Sequence, residues 1–473
     1  MTFPRALAIG GPAALLLLSS ATATIAQGTL HTLRVTGPNT KRINIVVLAE
    51  GYLASQEGPF LTDATNAMST FHTTSPWGEY RDYFNEYAIF VASNEEGSDH
   101  HSGGEPLLRD TYFNSTYDSY GIQRLITIPP NDWDGDWSHG AGKVYALLSQ
   151  HLPDYDVVLI LVNDPQYGGS GGEFAIASVH AAAPEVVLHE LGHSYADLGD
   201  EYEDPYPGYP DIEEPNTTRQ TDPDYIKWRD WILLTTPIPT PELPAYSAVV
   251  GLFEGAHYHS IGWYRPMLDC KMRSLGIAYC RICAENIVLS HYGLVSPIDS
   301  MLPVSSVVTM APAETETLRV VTKVPLPSTL RLQWTIDGSP YTPPVPGMAI
   351  VDGVALGLGT HAVKCVVSDT TTLVRIDSVG VRRDSAMWSV IVQCVCPCHG
   401  DPQCDSVANV QDVVQTVNVA FRGVEPMFDP DCPRERTDVN CDSFTTVQDV
   451  VKVVNVSFRG ASAATEFCNP CVP

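Results

Sequence analysis

Residues 184–202 read PEVVLHELGHSYADLGDEY. Apolar residues recur at helical spacing in this stretch, with Pro184 near the start of the pattern and Gly199 just after its end. Proline is tolerated in the first turn of a helix, and glycine is favoured just beyond the last turn. The stretch therefore predicts one helix over residues 184–198, and this helix carries two histidines.

His189 and His193 are four positions apart on the predicted helix. Side chains at this spacing lie on one face, about 6 Å apart, so both imidazoles can bind one zinc ion at about 2.0 Å. Glu190 faces the same cleft, where its carboxylate can take a proton from the attacking water and pass it to the leaving amine. The five-residue pattern alone also occurs on buried helices whose histidines bind no metal.

A third zinc ligand is expected directly after the helix. A chain reversal at Gly199 would bring Asp200 back towards the ion, and Glu201 is the alternative, since either carboxylate satisfies zinc. The plain interpretation is that both are solvated carboxylates at a helix end. The sequence favours Asp200.

Residues 189–202 resemble the signature of the immunoglobulin-A metallopeptidase family. Four further segments are similar to that family, and the resemblance covers about residues 28–295. These segments are residues 43–52, 161–163, 253–266 and 270–283.

The resemblance implies a single-zinc endopeptidase with a zincin-like α/β (α+β) catalytic domain. It also implies that Met272 lies in a methionine turn beneath the metal, although Met272 is equally explained as an ordinary core residue. The longer metzincin pattern has histidine or aspartate six residues after the second histidine. Gly199 occupies that position here.

The leading hypothesis is a secreted zinc metalloendopeptidase that hydrolyses a protein or peptide substrate. A catalytically silent surface-binding or scaffold protein is the alternative, although the three residues of the motif are intact. A zinc amidase acting on cell-wall or glycan material would differ only in substrate. We expect substrate to bind along Glu173–Ser178 as an edge strand.

Charge and the N-terminal residues limit the location and partners. The 473 residues include 55 acidic and 27 basic ones, with a formal net charge of -28, so nucleic acid is excluded as an expected partner. Residues 1–26 have one basic residue, a short apolar run and small residues before Gln27, as in a signal peptide cleaved after Ala26. No later segment is apolar enough to span a membrane, so we expect a soluble, secreted protein.

The remaining patterns predict three domains. Apolar runs at 43–49 and 157–163 predict buried strands, and helical periodicity appears near 62–72 and 142–151, within a metallopeptidase domain at 27–298. Short alternating runs over 299–393 predict an all-β sandwich with Trp334 in its core. A small helical module with calcium loops follows at 394–473.

The tail contains an internal repeat: 401–423 and 438–460 align without gaps at a period of 37 (438 minus 401). Oxygen-bearing side chains fall at the calcium-loop positions of both copies. The expected ligands are Asp401, Gln403, Asp405, Asn409 and Asp412 in the first copy, and Asp438, Asn440, Asp442, Thr446 and Asp449 in the second.

Each calcium loop leads into a predicted helix, and the pair resembles a type I dockerin module. Dockerins of that family bind cohesin domains, commonly through a Ser-Thr pair. Val410-Gln411 and Val447-Gln448 stand at those positions here. We therefore expect a calcium-stabilised anchoring or sorting tail with an unknown protein or cell-surface partner.

Twelve cysteines are present, and eight of them lie within 394–471. In an exported chain this pattern predicts disulfides. Cys280 and Cys283, with Cys270 upstream, have the spacing of half a zinc site. Disulfides are favoured here too, because export oxidises thiols and no second cysteine pair lies close by.

Overall fold

The computed structural model describes residues 28–430 and 432–471. The predicted signal peptide lies outside these residues. Within them, no helix combines the length and apolar character needed to cross a bilayer.

A six-stranded sheet forms the centre of the N-terminal part, with strand order β1-β3-β2-β6-β8-β7. The inner strands β3, β2, β6 and β8 are parallel, and every residue of β2 and β6 is buried. The two apolar runs were thus correctly predicted to be buried strands.

The strands of this part of the chain are β1 Thr29–Arg34, β2 Ile43–Glu50, β3 Phe84–Phe90, β4 Asp99–His100, β5 Thr116–Tyr117, β6 Val157–Val162, β7 Gly169–Ser170, β8 Ala175–Ser178, β9 Phe253–Ala256 and β10 His259–Arg265. Strands β4 and β5 pair with each other, as do β9 and β10, outside the six-stranded sheet.

Four helices accompany this sheet: α1 Glu57–Ala67, α2 Gly140–His151, α3 Ala183–Ala196 and α4 Arg281–Leu294. Helix α3 packs on β8 and on α4. It ends two residues before the predicted end. Asp197 adopts a left-handed conformation (φ 52°), so the chain reverses there and not at Gly199 as predicted.

The predicted substrate-binding edge at Glu173–Ser178 is wrong. Strand β8 pairs with β6 on one side and β7 on the other, so its backbone groups are already used within the sheet. The glycine-rich chain before it folds back as β7, and Leu125 forms a further bridge to Gly169.

The following β-rich region contains two sheets, β11-β13-β16 and β12-β18-β17-β14-β15. Residues of both sheets share one core, in which Trp334 stacks on Trp388 at 5.9 Å between ring centroids. The elements are β11 Ile298–Leu302, β12 Val307–Met310, β13 Thr315–Thr322, β14 Leu330–Ile336, β15 Ser339–Tyr341, β16 Met348–Asp352, α5 Gly353–Leu356, β17 Gly359–Asp369 and β18 Arg383–Val392.

The tail contains α6 Val410–Arg422, α7 Val447–Arg459 and α8 Ala463–Glu466. Helices α6 and α7 pack on each other. All eight tail cysteines form disulfides, as predicted; the pairs are Cys394–Cys471, Cys396–Cys432, Cys398–Cys404 and Cys441–Cys468.

The expectation of disulfides is wrong for the upstream cysteines. Cys270, Cys280 and Cys283 are buried free thiols, as is Cys365 in β17. The first three lie together with the side chain of Glu201.

Candidate active site

Some side chains of helix α3 pack in the hydrophobic core, and others line a cleft. Val187, Leu188 and Leu191 are fully buried on the core side. His189, Glu190 and His193 line a cleft of about 690 Å³. The apolar face fixes the helix against the sheet, so the positions of the two imidazoles are set by core packing.

Three donor atoms meet at the floor of this cleft. The Nε2 atoms of His189 and His193 lie 3.0 and 3.4 Å from Asp200 Oδ1 and 3.2 Å from each other. Ligands that bind one zinc ion at about 2.0 Å are separated by about 3.3 Å along a tetrahedron edge. The three distances fit that geometry.

Backbone carbonyls orient both imidazoles. His189 Nδ1 lies 3.0 Å from the Lys271 carbonyl oxygen, and His193 Nδ1 lies 2.5 Å from the Leu198 carbonyl oxygen. Since a carbonyl only accepts, each Nδ1 carries a hydrogen, so each imidazole in its neutral form presents a lone pair at Nε2. Two lone pairs that face each other at this distance favour a cation between them.

Asp200 is held by two tyrosines. The hydroxyl groups of Tyr202 and Tyr258 donate to its Oδ2 at 2.8 and 2.5 Å. Its Oδ1 is buried, and its polar neighbours within 3.4 Å are the two imidazole nitrogens. A buried carboxylate oxygen without a partner is costly, and a bound metal ion would satisfy it.

The charges at this floor are strongly coupled. Burial alone would lower the pKa of His189, but the Asp200 carboxylate outweighs burial and raises it to about 9. Burial opposes ionisation of Asp200 as well, yet the two imidazoles lower the pKa of its carboxyl group. The site thus favours positive charge at its centre, as a divalent cation would supply.

Glu190 lies beside the three donors and is nearly buried. Burial raises the pKa of its carboxyl group above the usual value, because desolvation disfavours the charged form. Its Oε1 would stand 2.8 Å from a Cβ placed on Gly169. A carboxylate with a raised pKa, close to a metal position, can both accept and return a proton.

The glycine-rich chain at 168–172 forms one wall of the cleft. A Cβ on Gly171 would lie only 2.3 Å from the Cβ of His193. The backbone therefore approaches the second histidine more closely than any side chain would allow.

Glu201, the alternative third ligand, has other neighbours. Its Oε1 accepts a hydrogen bond from Asn216 at 2.9 Å and lies 3.3 Å from the Cys283 sulfur. Met272 packs under α3, and its carbonyl accepts from the Glu201 amide at 2.8 Å. Asp200 alone of the two carboxylates joins the histidines.

Three aromatic residues that follow Gly255 have different surroundings. Tyr258 contacts Asp200, whereas Tyr264 pairs with Thr218 through backbone hydrogen bonds. His259 lies on the exposed side of β10. Tyr202 was not singled out from the sequence, because no periodic pattern indicates its contact with Asp200.

One comparison with known proteins decides the family. The family model described as IgA Peptidase M64 matches residues 32–245 and 242–290, together more than half of the chain. The chain belongs to the IgA peptidase M64 family. No curated protein matched the chain.

Membership of the M64 family makes this protein a metallopeptidase whose substrates are proteins or peptides. The matched residues include the floor of the cleft, with His189, His193, Asp200 and Tyr258. They end before the β-rich region and the tail.

In the tail of this M64 peptidase, each repeat folds into a loop closed by two buried acids. Asp401 and Asp412 close the first loop, and Asp438 and Asp449 close the second. Backbone amides donate to these carboxylates, for example Asn409 to Asp412 and Thr446 to Asp449, both at 2.8 Å.

The intermediate loop positions are more exposed than these acids. They are Gln403, Asp405 and Asn409 in the first loop, and Asn440, Asp442 and Thr446 in the second. Ser406 and Ser443 adopt left-handed conformations (φ 68° and 76°) at the sixth position, where calcium loops usually have glycine. Burial is the main cause that raises the pKa of the Asp412 and Asp438 carboxyl groups. The charge of the facing acid in each loop also raises it.

Proposed function

We propose that this M64 peptidase is a zinc-dependent endopeptidase that acts outside the cell. His189, His193 and Asp200 hold the zinc ion, and Glu190 is the general base. The observation that carries this proposal is the convergence of the buried Asp200 Oδ1 and the two imidazole Nε2 atoms, all within 3.4 Å of one another.

Zinc, when bound, supplies Lewis-acid chemistry that polarises a peptide carbonyl and lowers the pKa of water towards about 7. Glu190 accepts the proton of the attacking water and returns it to the leaving amine nitrogen. Its buried position excludes bulk water from this transfer. The carbonyls of Lys271 and Leu198 keep both imidazoles in the tautomer that leaves Nε2 free.

The open cleft fits an extended peptide better than a small molecule. Residues 122–125 and 169–172 form one side, and residues 204–212 lie among the other lining segments. Both the glycine-rich wall and the aromatic residues around Tyr258 would contact a peptide bond placed over Glu190. This arrangement favours a protein substrate over glycan or cell-wall material.

Cleavage of casein by the purified full chain tests the proposal. Glu190→Gln should lower kcat by about 10²–10⁴-fold while zinc content stays unchanged, and a zinc chelator should abolish cleavage reversibly. Glu173→Gln, at an exposed carboxylate outside the metal floor, is the matched control and should retain activity. Cleavage that survives both treatments would eliminate the proposed mechanism, whereas no cleavage by the zinc-loaded wild type would favour the catalytically silent scaffold.

The tail is proposed to bind two calcium ions through the ten loop ligands named above and to anchor or sort the enzyme. Helices α6 and α7 support a docking role, because they expose apolar side chains at equivalent positions of the two repeats. These residues are Val410, Val414 and Phe421 in α6, and Val447, Val451 and Phe458 in α7. The disulfide-rich tail also supports location outside the cell.

A further inference from the structure

A second group of metal-ligating side chains lies in the core, separate from the histidines. Its members, here called the thiol cluster, are Glu201, Cys270, Cys280 and Cys283. One ligand atom from each lies within 4.8 Å of all the others, and all four residues are buried.

The distances within the thiol cluster match those of a tetrahedral metal site. The sulfurs of Cys270 and Cys283 are 3.6 Å apart. Glu201 Oε1 lies 3.3 Å from the Cys283 sulfur and 3.8 Å from the Cys280 sulfur. With zinc–sulfur bonds of about 2.3 Å and a zinc–oxygen bond of about 2.0 Å, tetrahedral edges measure about 3.8 and 3.5 Å.

The backbone stabilises negative charge on these sulfurs. The Cys280 amide donates to the Cys270 sulfur at 3.1 Å, and the Cys283 amide donates to the Cys280 sulfur at 3.4 Å. Cys280 is also the N-cap of α4, where the helix dipole favours an anion. Two of the three sulfurs, those of Cys270 and Cys280, therefore accept backbone hydrogen bonds that also suit a metal-bound thiolate.

Two observations point to a missing partner. Glu201 is completely buried, and its Oε2 has no hydrogen-bond donor. Three cysteines cannot all pair as disulfides within the cluster, so oxidation would leave one thiol over. A metal ion uses all three sulfurs and the carboxylate at once.

We propose that the thiol cluster binds a second zinc ion with a structural role. Thiolate and carboxylate ligands in tetrahedral arrangement suit zinc, and four protein ligands leave no open position for substrate. As zinc binds, the thiol protons are released to solvent. The nearby Arg273, whose guanidinium donates to the Glu201 carbonyl at 2.9 Å, offsets part of the negative charge.

This second ion would link the two chain segments that form the floor of the cleft. Glu201 follows Asp200 directly, and Cys270 precedes Lys271, whose carbonyl orients His189. The Glu201 amide already bonds to the Met272 carbonyl. Zinc in the thiol cluster would thus position Asp200 and His189 without touching substrate.

Zinc counting by mass spectrometry on the full chain tests this inference. The wild type should hold two zinc ions, and the double variant His189→Ala/His193→Ala should keep one. Cobalt bound to that double variant should show near-ultraviolet sulfur-to-cobalt charge-transfer absorption. If the histidines bind no zinc but the cluster does, both chains will hold one ion, which separates this inference from the proposed catalytic site.

Thiol titration of the denatured wild type, with chelator present, gives a second readout that requires no variant. Four reactive thiols, including Cys365, are expected, whereas a disulfide in the cluster would leave two. Cys283→Ser should lose one zinc ion, and Cys365→Ser, at a buried thiol in the β-rich region, should keep both. A zinc-free double histidine variant or a count of two thiols would overturn the inference, even if Cys283→Ser does not fold.

Discussion

Gly192 lies directly against Met272: a Cβ at position 192 would stand 2.6 Å from the Met272 sulfur. Met272 is completely buried, so its side chain has little room to move. The bare backbone at Gly192 therefore allows the segment that carries Lys271 and Met272 to pass directly beneath the two histidines.

Gly192→Ala should destabilise the protein. Overpacking against Met272 costs about 1–3 kcal/mol, and the better helix propensity of alanine recovers at most about 1 kcal/mol. The free energy of unfolding from denaturant titration measures the net loss. Gly293→Ala is the control, since a Cβ there meets open space in α4; equal effects of the two changes would contradict the packing argument.

Gly171→Ala should disturb the metal site rather than the core. The new Cβ would lie 2.3 Å from the Cβ of His193, so this side chain must move from its position beside Asp200. We expect zinc affinity to fall by at least about tenfold, measured by competition with a chelator. Gly135→Ala, at a loop glycine with open space around it, should leave the affinity unchanged.

Tyr258→Phe removes one of the two hydroxyl groups that hold Asp200 Oδ2. Loss of such a supporting hydrogen bond typically lowers metal affinity by about 10–100-fold. Tyr202→Phe should act in the same direction. Tyr209→Phe is the matched control, because that hydroxyl bonds to Glu214 at 3.3 Å and not to Asp200. An unchanged affinity in Tyr258→Phe would argue against Asp200 as a ligand.

His291 should make the protein acid-sensitive. Burial lowers the pKa of its imidazole to about 3, whereas in the unfolded chain it is about 6.5. Above about pH 6.5 both states are neutral and no penalty exists. Below it, only the unfolded state binds the proton, so the free energy of unfolding falls by up to about 1.4 kcal/mol per pH unit, down to about pH 3.

His291→Gln should remove this pH-dependent loss. The stability difference between wild type and variant, measured by denaturant titration at pH 7 and pH 4.5, should shift in favour of the variant at the lower pH. His259→Gln, at an exposed histidine, controls for general effects of the substitution. Parallel pH profiles of wild type and His291→Gln would refute the prediction.

Calcium removal should affect the tail and spare the cleft. Without the ion, the buried acids of each loop face each other, and repulsion between like charges destabilises the fold. Asp438→Asn/Asp449→Asn should reduce bound calcium from two ions per chain to one and lower the melting temperature of the tail. Casein cleavage should stay unchanged. Undiminished calcium binding in that variant would rule out the second loop as a calcium site.

The sequence predicted those features that depend on local spacing. The two histidines one helical turn apart, and the apolar strands β2 and β6, follow from periodicity within a few residues. The position of the chain reversal did not follow, because Asp197 takes a left-handed conformation that glycine at 199 was expected to provide. An aspartate can adopt that conformation at modest cost.

Contacts between distant segments had no signal in a single sequence. Tyr258 reaches Asp200 across 58 positions, and Glu201 reaches Cys283 across 82. The strand β8 was taken for an edge because the two-residue strand β7 beside it is too short to show alternation. In each case tertiary packing, and not local pattern, determines the neighbour.

The Cys394–Cys471 disulfide joins positions 77 residues apart at the two ends of the tail. Cleavage of any one peptide bond between them leaves the two fragments joined to each other by this disulfide. If the tail anchors the enzyme as proposed, the enzyme would stay attached after such a cut. Shedding of the catalytic part requires a cut on the N-terminal side of Cys394.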